Sequence, residues 1–71
     1  MFVIKWTNKM SREEGYVEKI NKKEGYFENT FDKLAAKQYK TEGSAKTAVK
    51  WLESSKEGEQ NSFCFVEAPS V

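Results

Sequence analysis

Ala45, Ala48, Val49 and Leu52 recur at spacings i, i+3, i+4 and i+7, the strongest helical signal in the chain. A helix with a single apolar stripe has to bury that stripe against another layer, which leaves few folds open. Gly43 weakens any helix running into it, and the hydroxyl of Thr41 or Ser44 can cap a new one. The spacing predicts a helix from about Glu42 to Ser55.

The other layer is predicted to be a sheet. Phe2 to Thr7 is rich in β-branched and aromatic residues, with Phe2, Ile4 and Trp6 on one face. The stretch Asn8 to Gly15 carries Lys9, Arg12, Glu13 and Glu14 and ends in a glycine, which suits a hairpin connection. A local repeat follows: Glu14-Gly15-Tyr16-Val17-Glu18 returns ten residues later as Glu24-Gly25-Tyr26-Phe27-Glu28. A turn glycine before an aromatic strand start is good hairpin chemistry, here used twice; the functional alternative is a pair of equivalent recognition loops. Near the other end, Phe63, Cys64, Phe65 and Val66 form a continuous apolar run, the pattern of a strand buried on both faces or well inside a sheet, and Pro69 ends it. Strands are therefore expected near residues 2–7, 15–20, 25–29 and 62–67.

Between the third strand and Thr41 a first, shorter helix is predicted. Asn29 or Thr30 can cap it and Asp32 suits its first turn. At 100° per residue Phe31, Leu34, Ala35 and Tyr39 share one face, with Lys33, Lys37 and Lys40 opposite. The expected fold is α+β: a single small domain over residues 1–71, with a mostly antiparallel three- to four-stranded sheet and one or two helices on one face, in the order β-β-β-α-α-β. A single helical layer leaves the other sheet face partly open. That face, or an edge strand, is the expected place for a partner.

Composition removes most chemistries. Twelve Lys and Arg against eleven Asp and Glu give a formal charge of +1, so no overall field argues for nucleic acid, membrane or an acidic ligand. The absence of histidine excludes imidazole catalysis and His-ligated metals, and the single Cys64 forms no internal disulfide or paired-cysteine zinc site. Cys64 lies among apolar neighbours and has no histidine in the chain to activate it, so it reads as a core residue. Gly15, Gly25, Gly43 and Gly58 match no phosphate-binding or dinucleotide motif. No enzyme activity, cofactor or metal is expected. The short apolar stretch Met1 to Trp6 resembles no signal peptide, and no run approaches a membrane helix, so a soluble cytoplasmic protein is expected.

Two kinds of binding residue stand out. Trp51, Trp6, Tyr16 and Tyr26 are candidate protein-binding aromatics; Trp51 sits at the border of its helix's apolar stripe, either half-buried core or an interface anchor. Lys19, Lys22 and Lys23 on a hairpin tip, with the Lys33, Lys37 and Lys40 stripe, are the candidate nucleic-acid contacts, against the alternative of a solvated face. Six phosphate contacts imply a log–log salt slope of roughly −5. With ten aromatics supplying much of the core and no covalent staple, a homodimer through a leftover apolar patch or sheet edge is left open.

Tyr26-Phe27, Thr30, Ala36-Lys37-Gln38-Tyr39-Lys40-Thr41, Ala45, Ala48 and Leu52 together resemble a pattern in small proteins of phages and prophages of low-GC Gram-positive bacteria. The opening Phe2-Val3-Ile4-Lys5-Trp6-Thr7-Asn8, with Gly15-Tyr16-Val17 behind it, is similar to the same group, so the likeness covers most of the chain. It implies a mobile-element setting, in which many proteins of this size inhibit a bacterial defence protein, anti-CRISPR proteins among them, by binding rather than catalysis. Inhibitors that mimic DNA carry dense acidic surfaces, and this chain at +1 departs from them. The expected function is a non-enzymatic protein-binding module, an inhibitor of a host protein in that setting; the alternative is a small nucleic-acid-binding protein.

Overall fold

Along strand β1 (Phe2–Asn8) the set Phe2, Ile4 and Trp6 alternates with Val3, Lys5 and Thr7, so the two sets point to opposite faces of a sheet. In the computed structural model, which describes residues 1–68, β1 is a central strand. It pairs along its whole length with β4 (Asn61–Glu67), from Phe2 opposite Glu67 to Asn8 opposite Asn61. Its pairing with β2 (Glu14–Asn21) is shorter, limited to Lys5–Tyr16, Trp6–Gly15 and Thr7–Glu14. β3 (Tyr26–Thr30) returns along β2 after a turn in which Gly25 takes a φ of 79°, a conformation that glycine adopts without strain. All pairings are antiparallel, in the order β3-β2-β1-β4. With helices α1 (Glu42–Ser54) and α2 (Glu57–Gln60) the chain order is β-β-β-α-α-β, the α+β fold expected from the sequence.

Helix α1 begins as its sequence dictates. Thr41 is the N-cap, and its hydroxyl accepts the Ser44 N–H at 3.2 Å, satisfying one of the orphan donors of the first turn. Ala45, Ala48 and Leu52 are buried, and the helix lies over β1 and β4. Ile4, Trp6, Val17 and Phe63 meet Ala48 and Leu52 to form the main core, with Ile20, Phe27, Tyr39, Val49 and Trp51 half-buried around it.

The predicted helix over residues 31–40 is not formed. The β1–β2 pairing stops at Lys5 and Tyr16, short of the register shift that β2 makes against β3 between Val17 and Lys19, and residues 37–39 bond to the backbone left free on both strands. There the Lys37 N–H donates to the Val17 carbonyl at 3.0 Å, while Phe2 and Tyr39 exchange both backbone bonds at 2.8 Å. These groups cannot also serve a helical ladder. Upstream, the Thr30 hydroxyl accepts the Asp32 N–H at 3.1 Å and the Asp32 carboxylate accepts the Leu34 N–H at 2.9 Å, a side-chain turn that competes with a helix start. Phe31 and Leu34, predicted on a buried face, are 71% and 63% exposed. Ala36 is buried instead, against Val3 and Ala68 with Tyr16 and Val66 beside them, on the sheet face opposite α1.

Two further expectations are corrected. The stretch Lys56 to Ser62, read as a polar connection, contains the single turn of α2, packed so closely on α1 that a Cβ at Gly58 would collide with the Glu53 carbonyl. The apolar run Phe63 to Val66 lies on an edge strand rather than inside the sheet, and Cys64, expected in the core, is exposed: it points to the face opposite α1 and lies outside the cluster of Val3, Ala36, Val66 and Ala68 there. Pro69 lies outside the described residues. Among the described residues no helix is long and apolar enough to cross a membrane.

Candidate functional site

Trp6 organises the exposed end of the aromatic core. It faces Gly15 across the β1–β2 pair, and the indole lies over that glycine: a Cβ there would come within 2.7 Å of the ring. The lack of a side chain at Gly15 lets the indole reach Phe27 and Phe31, at centroid distances of 6.3 and 6.2 Å. Phe27 in turn meets Phe63 edge-on at 5.3 Å, a favoured aromatic geometry. Trp6 is buried, with its Nε1 donor unpartnered among the described residues, whereas Phe31 rests on it with most of its ring in solvent. Leu34 projects from the same turn.

Trp6, under Phe31, also floors with Phe27 a groove of about 220 Å³. Asn29 and Glu13 stand on its rim with Glu57 of α2, and no Lys or Arg lines it. Its inner end is fixed by a buried amide: Asn61 accepts from Asn8 at 3.3 Å and donates to the Glu57 carbonyl at 3.3 Å. The groove therefore combines aromatic faces with carboxylates, a lining that attracts ammonium or guanidinium groups.

The four aromatics singled out from the sequence do not form one surface. Trp6 is core, Trp51 is half-buried on α1 against that core, and Tyr16 lies half-buried on the opposite sheet face with the Lys33 Nζ 6.0 Å above its ring. Tyr26 alternates with Phe27 and so points to the same face as Tyr16. The lysines also part company. Without the helix the stripe of Lys33, Lys37 and Lys40 does not exist: Lys33 goes to Tyr16, Lys37 lies over the Tyr39 ring at 5.6 Å, and Lys40 is exposed ahead of α1. Lys19 is exposed on β2, and Lys22 and Lys23 on the β2–β3 turn. Of the six, Lys22 and Lys37 come together in one cleft, about 370 Å³, lined also by Tyr39, Ser44 and Thr47. Tyr39's hydroxyl has its pKa raised above the usual 10.0 by burial.

Among the residues the sequence misplaces, Phe31 and Leu34 are the ones that belong to the site. The sequence signal that could have found them is Thr30-Phe31-Asp32, which serves a side-chain turn as readily as a helix cap. Comparison of the chain with protein-family models, with curated proteins and with solved structures gives no match.

Proposed function

We propose that this chain is a non-enzymatic protein-binding module that holds its partner through Phe31, Leu34 of the same turn, and the acid-rimmed groove floored by the Trp6 on which Phe31 rests. The observation that carries the reading is Phe31, which is 71% exposed yet seated on the buried Trp6 indole. A large apolar ring on a rigid support gains roughly 1.5–3 kcal/mol when a partner covers it and loses little side-chain freedom in doing so. The carboxylates of Glu13 and Glu57 over aromatic faces select a partner that presents a Lys or Arg side chain next to an apolar patch. In the phage-type setting that the sequence resemblance implies, that partner is a cytoplasmic host protein, such as a defence protein, and binding inhibits it.

The second reading, nucleic-acid binding, is favoured by one observation, the cleft shared by Lys22 and Lys37. Two phosphate contacts give a log–log salt slope of about −2, well short of the −5 or so of a six-lysine surface. A tagged pull-down from bacterial lysate separates the two. The protein-binding reading predicts one dominant protein that survives nuclease treatment and is lost from a Phe31→Ala, Leu34→Ala double variant. Enrichment abolished by nuclease, retained by that variant and lost on Lys22→Glu with Lys37→Glu supports the nucleic-acid reading instead.

A further inference from the structure

β4 has one neighbour where its sequence calls for two. Natural edge strands are kept short, bulged, or charged with lysine to prevent edge-to-edge pairing. The other edge of this sheet follows that rule: β3 has five residues with Glu28 at its centre, and its pairing with β2 is irregular. β4 does not. It runs for seven residues in unbroken register with β1, carries no Lys, Arg or Pro, and has its only charge at the end, Glu67. Among the described residues nothing lies along its outer side.

The direction of its free backbone groups follows from parity. The Ala68 N–H donates to the Met1 carbonyl at 2.7 Å and the Lys9 N–H to the Gln60 carbonyl at 2.8 Å, so even-numbered positions here turn their backbone groups toward β1. Phe63, Phe65 and Glu67 therefore direct theirs outward. We propose that a second copy of this chain pairs with that edge, β4 against β4, antiparallel about a two-fold axis, to give a continuous eight-stranded sheet.

Outward residues have to meet outward residues, and the register that overlaps the whole strand is centred on Cys64. It sets Phe63 opposite Phe65 of the second copy on the helix-covered face, and Asn61 opposite Glu67. No like charges meet, and the aromatic pair continues the main core across the seam. Helix α1 is compatible. Its C-terminal Glu53 shares a cleft with Ser62 and Phe63, so Val49, about 6 Å back along the helix, lies level with the middle of β4. Lys46, Val49 and Glu53 fall on one flank of α1 at 100° per residue. The two-fold brings Val49 near its own copy and Lys46 toward Glu53 of the second copy, a complementary charge pair.

This register makes a sharp test, because it places the two Cys64 residues in a non-hydrogen-bonded pair with Cα atoms about 4.5 Å apart, within disulfide reach. Diamide takes two electrons and two protons from the two thiols, leaving one S–S bond and the reduced hydrazine. The proposal predicts a wild-type mass of twice the 8.2 kDa chain by sedimentation equilibrium and a diamide-linked dimer on a non-reducing gel. Cys64→Ser keeps the mass and abolishes the link. Cys64→Lys, exposed on the open face and so compatible with folding, sets two ammonium groups together at the axis and weakens association at least tenfold. A monomeric wild type, a dimer that diamide does not link, or a folded Cys64→Lys variant that associates as tightly as wild type would each overturn it.

Discussion

Gly15→Ala tests whether the Trp6 indole crosses β2. The added Cβ would lie 2.7 Å from Cζ2 of Trp6, 2.8 Å from Cε2 and 2.9 Å from Nε1, where ordinary contact begins at 3.4 Å. The indole has to move by roughly 0.5–1 Å, but Phe27 and Phe31 hold it from one side and the main core from the other. Overpacking of this kind costs about 1–3 kcal/mol. Restricting the unfolded chain by replacing glycine returns about 0.4–1 kcal/mol, so the net loss is on the order of 1–2 kcal/mol. At roughly 2.1 cal/mol/K per residue, that lowers the Tm of a 71-residue chain by about 7–13 °C. Gly43→Ala is the matched control, since no atom lies within 4 Å of its Cβ, and it raises stability by about 0.5–1 kcal/mol. Thermal and urea unfolding followed by circular dichroism read both variants. A Gly15→Ala protein as stable as wild type would refute the placement of the indole.

Leu52→Ala, in a fully buried position at the centre of the core, is expected to cost 2–5 kcal/mol, enough to leave so small a domain largely unfolded by urea titration. Thr41→Ala removes the α1 cap and costs about 1 kcal/mol, most of which Thr41→Ser restores. Tyr39 titrates from a raised pKa because burial penalises its phenolate. Above the unfolded value of 10.0 the unfolded chain binds fewer protons than the folded one, so stability falls as pH rises through that value toward the folded pKa. Alkaline unfolding curves of Tyr39→Phe are expected to lose that component.

The strands and α1 were legible because each rests on local signals: alternation in Phe2-Ile4-Trp6, the helical period of Ala45 to Leu52, the Thr41 cap. What was not legible depends on partners distant in sequence. Nothing near Tyr39 announces that Phe2 will claim its backbone, or that Val17 will accept from Lys37, and these bonds convert an amphipathic pattern into an irregular bridge. The error propagates to the site, since it buried Phe31 and Leu34 on paper and aligned three lysines that the structure separates. Gly15 was read as a turn glycine, whereas it serves as the bed of an indole within a strand. The run Phe63 to Val66 signals burial on both sides, and the described chain covers only one of its edges.

Residues 31–41 are pinned into the sheet at Lys37 and Tyr39 and thereby present Phe31 and Leu34 to solvent. Residue-resolved amide hydrogen exchange by NMR, with backbone chemical shifts, tests it directly. Protected amides are expected at Phe2, Lys37 and Tyr39, extended shifts at Tyr39, and fast exchange at Phe31 and Lys33, whose amides have no partner among the described residues. Consecutive helical shifts with unbroken protection from Lys33 to Lys40 would contradict it, returning Phe31 and Leu34 to the core and the lysines to a single stripe.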